Sequence, residues 1–322
     1  MNKQKKIIVV LIVVAVAMVA SLFGYGIWKK YAKKETVNEG EAEVYEDSSY
    51  ITYKGKKYEY NHSLKNILFM GVDKPERMEE TQVGQGGQAD TLILMSMNRD
   101  NKTTTLLQIP RDVMTDIDIY DMNGTYLSTE KGQISLQYAY GDGKKKSCRM
   151  TMKAVSDLLY EVPVDSYLAM SVDGIAEITT LMGGVSLTVP KDYTDIDPTF
   201  REGETIVLAG EQAEKYVRYR DVEVTGSNIG RMERQEQFML ALARQMQGKD
   251  TGWYQQLLQE TQEYLTMDLS VEEVDYMKSY QMIGEIEKIP GKMQAGTEHD
   301  EFIVDNEKLQ DLIIKLFYKP VE

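Results

Sequence analysis

Chemistry that depends on cysteine or histidine is nearly closed to this chain. Its 322 residues include one cysteine, Cys148, which excludes an internal disulfide and a cysteine-rich metal centre and leaves the compartment open. The two histidines, His62 and His299, sit near opposite ends of the soluble part. That separation argues against a histidine-based triad or zinc site. Positive charge is also short: 37 Lys and Arg face 51 Asp and Glu, for a formal net charge of -14. Seven lysines precede the first acid, Glu35, so the rest of the chain is seven charges more negative than the whole. A surface that acidic repels nucleic acid, and a basic cluster on it serves a particular anion rather than a polyanion. Internal repeats and low-complexity segments are absent. What is present is 42% hydrophobic content, enough for one large or two small domains with a buried core.

One hydrophobic run is long. Ile7 to Phe23 is unbroken by charge and extends through Tyr25, Ile27 and Trp28 to the length a bilayer needs. Tyr25 and Trp28 stand where interfacial aromatics belong. A cleaved signal peptide is the competing reading, but Ala15 with Ala17, or Met18 with Ala20, makes a poor cleavage site and leaves SLFGYGIW at the new terminus. The expectation is a cytoplasmic tail over 1–6, an uncleaved anchor over 7–28, an extracellular stem over 29–60 that is acid-rich from Glu35 to about Ser49, a folded domain over 61–248 and a mostly helical extension over 249–322.

The soluble part alternates. KNILFMGV (Lys65–Val72), TLILMSMN and TTTLLQI read as strands, the last two joined as a hairpin by Arg99–Lys102. Pro110 ends the third strand and leaves Arg111 and Asp112 at its mouth. Helical spacing covers Ile134–Tyr140 and Met150–Tyr160. SYLAMSV is a strand, DGIAEITTLMGG a helix with a glycine stop, and VSLTVP a strand. Helices are expected at Trp253–Thr266, Ser270–Gly284 and Asn306–Tyr318. The fold class is α/β, a layered α/β/α domain.

The candidate site residues lie at the ends of these elements. Asp73 and Asp90 flank one Gly-rich loop, a placement that suits a shared hard cation such as Mg²⁺ and also suits ordinary turn formers. Arg111 either serves an anion or pairs with its neighbour Asp112. The stretch Tyr216–Gln235 holds Arg218, Arg220, Arg231 and Arg234. A helix over GEQAEKYV that stops near Val217 makes Arg218 and Arg220 converge, since residues two apart share a side in extended chain. A second helix opening at Gly230 puts Arg231, Arg234 and Gln235 on one face, with Arg234 expected toward solvent. Guanidinium groups beside a helix start receive phosphate or pyrophosphate well. The alternative is a solvated face paired with Glu211, Glu214, Glu233 and Glu236.

In order, NILFMGVD, ADTLILMSMN, LLQIPRDV, ISLQYAYG, DGIAEITTLMGGVSLTVP, LAGEQAEKYVRYR and GRMERQ resemble the LytR-CpsA-Psr family of Gram-positive envelope proteins over about Asn66–Gln247. The resemblance implies a mixed α/β/α sheet with an apolar tunnel for a polyprenyl chain. It implies a transferase moving teichoic acid or capsular glycan from an undecaprenyl-pyrophosphate carrier to peptidoglycan at the cell membrane. Asp73 and Asp90 match the Mg²⁺ aspartates, with Mn²⁺ as the substitute ion. Arg111, Arg218, Arg220, Arg231 and Gln235 match the pyrophosphate clamp, and Asp112 or a metal-bound group is the available proton acceptor. Departures from the family pattern are Gln88 for an arginine, Asn228 for an acid, and Gln133 and Ser135 for a lysine and an asparagine. They keep two other readings open, a non-catalytic polyprenyl-pyrophosphate binder that regulates envelope assembly and a lipid pyrophosphatase.

Overall fold

The computed structural model describes residues 50–74, 77–219, 227–246, 251–269, 280–283, 285–296 and 299–321. The anchor expected over 7–28 lies outside them. Among the described residues no helix is long and apolar enough to cross a membrane.

The described chain opens with β1 (Tyr50–Tyr53) and β2 (Lys56–Tyr60), an antiparallel hairpin. Its turn residues Lys54 and Gly55 have φ of 47° and 76°, the two consecutive left-handed positions of a type I′ turn. The last part of the expected stem is therefore folded. Its short strands, YITY and KKYEY, keep much of their surface in water, with no apolar face to mark them as part of the folded domain. Next come β3 (Leu64–Val72), β4 (Ala89–Asn98) and β5 (Thr103–Ile109), joined as an antiparallel meander. Leu92 and Leu94 of β4 pack on one side of the sheet, and Ile93, Met95 and Met97 on the other. A strand covered on both faces has no polar face, so TLILMSM shows no alternation.

The chain then leaves the sheet as a hairpin, β6 (Met114–Tyr120) with β7 (Tyr126–Gln133). Ile134–Tyr140 is a 3₁₀ segment, and helix α1 covers Lys145–Leu158. This helix starts before the periodic stretch at Met150 because Asp142 Oδ1 accepts hydrogen bonds from the Lys144, Lys146 and Ser147 N–H groups. Strand β8 (Ser166–Ser171) lies parallel to β3 and runs directly into α2 (Val172–Leu181). Gly183 and Gly184, both at positive φ, turn the chain after α2 as the sequence expects. The small pair β9 (Val185–Thr188) and β10 (Thr205–Leu208) precedes α3 (Gly210–Arg218), α4 (Ser227–Met246) and α5 (Thr251–Thr261).

Beyond residue 248 the expectation of a mostly helical stretch needs correction. Helix α5 stops at Thr261, and Leu265 and Thr266, expected in the same helix, belong to β11 (Leu265–Met267), which pairs antiparallel with β8. Strands β12 (Gln281–Met282) and β13 (Glu287–Lys288) pair parallel with β5, so the helix expected over Ser270–Gly284 ends in a strand; residues 270–279 lie outside the described part. β14 (Gly291–Ala295) and β15 (Asp300–Val304) form a hairpin. Only α6 (Asn306–Phe317), N-capped by Asp305, matches its expected bounds, and β16 (Tyr318–Pro320) then pairs with β2. The reason is physical. Strands this short are defined by the edges of β8 and β5, and sequence periodicity carries no record of a neighbouring edge.

The central sheet thus has seven strands in the order β11-β8-β3-β4-β5-β12, with β13 also on β5. Residues of α2, α3, α4 and α5 join one core, around Ile178, Tyr216, Phe238 and Leu257. Residues of α1 and α6 join the other, around Val155, Ile313 and Phe317. The described fold is the expected mixed α/β/α arrangement.

Candidate functional site

Strand directions bring the candidate residues to one end of the sheet. β3 and β5 both finish there, β4 starts there, and β8 finishes there and feeds α2. Asp73 follows β3, Asp90 is the second residue of β4, and Arg111 follows β5 after Pro110. Ends of sheet strands beside helix starts are where α/β proteins bind ligands.

Asp90 is the hub. Arg111 Nη1 donates to its Oδ1, and Arg231 Nη1, from α4, donates to its Oδ2 at 3.0 Å. Burial is the largest influence on the Asp90 carboxyl and pushes its pKa up. The two guanidiniums pull it down, the charges of Asp73 and Asp112 push it up, and the net direction is upward. Asp73 is fixed from the other side: its Oδ1 accepts from the Gln88 N–H at 2.8 Å and its own N–H donates to Gln88 O at 3.0 Å. Asp112 is fully buried behind Arg111, with its Oδ1 accepting from Gln133 Nε2 at 3.1 Å and lying 3.4 Å from Arg111 Nε. It is not among the residues that line the cavity described next, and its side-chain contacts here include Arg111 and Gln133.

A cavity open to solvent at its mouth lies between the sheet and helices α2, α3 and α4. Asp73, Asp90, Arg218, Arg231 and Gln235 contribute to its lining. The remaining wall is apolar, with Phe69, Met170, Ile175, Ile178, Phe238 and Leu242 among its residues. Charged groups of both signs therefore share one enclosure with a long apolar wall, the lining an amphiphilic ligand requires. Among the described residues no group of three or more His, Cys, Asp or Glu gathers to hold a metal on its own. Asp73 and Asp90 still fit Mg²⁺, because that ion takes one or two carboxylates and fills the rest of its shell with phosphate oxygens and water.

The arginine stretch differs from expectation in three ways. Helix α3 continues through Arg218, which sits in the last turn with Nη1 donating to Glu214 at 2.9 Å. Helix α4 opens at Ser227, with Gly230 inside its first turn. Arg234, expected toward solvent, is 5% exposed; its Nε donates to Tyr216 O at 2.8 Å, its Nη2 donates to Tyr219 O, and the guanidinium lies 5.3 Å from the Tyr193 ring centroid. The signal was in the sequence. Arg231, Arg234, Phe238, Ala241 and Leu242 fall on one stripe of α4, and that stripe is the buried one. Gln235 lines the cavity and also donates from Nε2 to Val217 O at 3.2 Å. Arg220 lies outside the described residues.

Comparison with known proteins gives the lineage. A model of the LytR_cpsA_psr family matches residues 27–316. The chain belongs to the LytR_cpsA_psr family. It is 31% identical over 255 residues to the polyisoprenyl-teichoic acid–peptidoglycan teichoic acid transferase TagV of Bacillus subtilis, covering 76% of this chain and 59% of that one. It is 25% identical over 322 residues to a TagU transferase of the same description from Enterococcus faecalis, covering 96% of this chain and 95% of that one. The crystal structure of Bacillus subtilis TagV shares the fold, with a TM-score of 0.59 at 24% identity over 79% of this chain and 96% of that chain.

Two of the positions where this LytR_cpsA_psr chain departs from the pattern, Gln88 and Gln133, have side-chain partners of their own. Gln88 Oε1 accepts from Arg111 Nη2 at 2.6 Å, so Gln88 orients an arginine where the family often supplies one. Gln133 Nε2 bridges Asp112 Oδ1 and, at 2.8 Å, Asp300 O on β15. Ser135 donates its N–H to Arg111 O at 3.2 Å, while its buried Oγ has no hydrogen-bond partner among the described residues. Asn228 lies in the first turn of α4. The bridging role of Gln133 was not read from the sequence, because it joins elements far apart in the chain; the resemblance implied an apolar tunnel but not which residues line it.

Proposed function

We propose that this chain is a membrane-anchored extracellular transferase that moves a glycopolymer of teichoic acid or capsular type from an undecaprenyl-pyrophosphate carrier to peptidoglycan. One observation carries the reading. A single cavity combines a cluster of carboxylates and guanidiniums with an apolar wall, and a polyprenyl pyrophosphate combines a doubly charged head with a hydrocarbon tail. Each buried methylene of such a tail contributes about 0.8 kcal/mol, so the wall gives affinity while the charged groups give position. The transferase names of the TagV and TagU relatives support the same class, and the apolar run Ile7–Trp28 supports the anchor.

In this reading Arg218, Arg231 and Gln235 contact the pyrophosphate, and Arg111, the clamp member that does not line the cavity, adds its positive charge from behind Asp90. Arg220, from the segment after α3, is the remaining member of the clamp. A peptidoglycan hydroxyl oxygen bonds to the sugar-proximal phosphorus as the bond to the bridging oxygen breaks. Polyprenyl phosphate leaves with the electron pair, and the hydroxyl proton passes to a carboxylate or to solvent. Negative charge builds on the leaving phosphate and on the transferred phosphoryl oxygens, and preorganised guanidiniums stabilise it in a site shielded from water. Asp73 and Asp90 would hold Mg²⁺ or Mn²⁺, which supplies further positive charge to those oxygens. The full chain, incubated with labelled lipid-linked glycan, Mg²⁺ and peptidoglycan, is expected to place label on the wall polymer. Label retained on bound lipid, or released as free phosphorylated glycan, would replace this reading with the binder or the pyrophosphatase.

A further inference from the structure

Helix α3 has nine residues, too few to hold its ends by hydrogen bonding alone. Its last carbonyls have no partner within the helix. They also form its negative end, beside the anion-binding mouth where Arg218 stands. Two neighbouring side chains of α4 answer this. Arg234 donates to Tyr216 O and Tyr219 O, and Gln235 donates to Val217 O. Arg234 does so as a buried cation with no carboxylate at salt-bridge distance among the described residues, its guanidinium resting against the Tyr193 ring. An apolar side chain would fill the same stripe without the cost of desolvating a charge. The arginine is matched to the three things it touches, two carbonyls and an aromatic face.

We propose that Arg234 is a positioning residue, holding the carbonyl end of α3 so that Arg218 stays at the cavity mouth. Its action is through Arg218 and not through contact with the phosphate. This rests on the reading of that mouth as a pyrophosphate site. By holding those carbonyls Arg234 fixes the turn that carries Arg218, whose own guanidinium donates to Glu214 one turn back in the same helix.

The test is a double-mutant cycle on the full chain, read by titration with inorganic pyrophosphate and Mg²⁺, with melting curves beside it. Arg234→Met keeps the packing volume and is expected to weaken binding about tenfold, as is Arg218→Ala. The double variant is expected to bind no more weakly than Arg218→Ala, because the residue through which Arg234 acts is gone. Arg234→Lys keeps a donor for one carbonyl and is expected to recover part of the loss; it also serves if Arg234→Met fails to fold. Losses that multiply in the double variant, or wild-type affinity in a folded Arg234→Met, would overturn the proposal while leaving the pyrophosphate site standing. A wild-type chain that binds no pyrophosphate would overturn both.

Discussion

Asp90 sits between two guanidiniums, and that position decides what its substitution can reveal. Burial, together with the charges of Asp73 and Asp112, raises its pKa despite both arginines, so its charge is held at a cost in the folded chain. Asp90→Asn removes the charge and keeps the shape, and the melting temperature is expected to stay within about 4 °C of wild type. Transfer is expected to fall steeply and to recover in part at high Mg²⁺; a folded variant with full activity contradicts the metal role. Asp112 makes the opposite prediction. It is fully buried and supports Arg111 and Gln133, so Asp112→Ala is expected to cost about 3–5 kcal/mol of stability in denaturant unfolding. In Asp112→Asn, pyrophosphate affinity and stability are expected to drop together. A variant that keeps both but loses turnover would identify Asp112 as the base.

At the scale of elements, the cavity depends on the separation of α2 and α4 above the sheet. Ile175, on α2, forms part of the apolar wall. Ile175→Trp is expected to fill that space, lowering affinity for polyprenyl pyrophosphate while leaving affinity for inorganic pyrophosphate unchanged. Equal loss for both ligands would mean that the tail lies elsewhere. The elements that build this site were legible in unequal measure. β3, β4, β5 and β8 are largely apolar on both faces, and β3, β5 and β8 end at Asp73, Pro110 and a helix start while β4 ends at the Arg99–Lys102 turn, so their ends and the residues on them could be read. Short β11, β12 and β13 could not, because each is a strand only by virtue of the edge it meets. Arg234 was misplaced because charge was weighed over stripe. The ties of Asp112 to Gln133 and of Gln133 to Asp300 were invisible, since their spacing along the chain follows no periodicity. Those ties carry a prediction of their own. A chain ending at residue 248 loses α5, β11 to β16 and α6, and circular dichroism is expected to show no cooperative thermal transition. A sharp transition in that truncated chain would mean that residues 61–248 fold alone.

On the scale of the whole molecule, the described residues of this acidic chain bring arginines against carboxylates and an apolar wall in the cavity below α2, α3 and α4. Net charge keeps polyanions away from the surface at large, and under the proposed function selection of a phosphorylated lipid falls to that cavity. The central claim is that one event in it breaks the carrier pyrophosphate and joins the glycan phosphate to peptidoglycan. The direct measurement uses a donor labelled separately on glycan and on polyprenyl chain, counting polyprenyl phosphate released and glycan phosphodiester formed on peptidoglycan in the same reaction. One-for-one appearance of the two products, lost together in Asp73→Asn and Asp90→Asn, is the predicted result. Polyprenyl phosphate released without wall-linked glycan, or neither product from folded wild-type chain, would contradict the account.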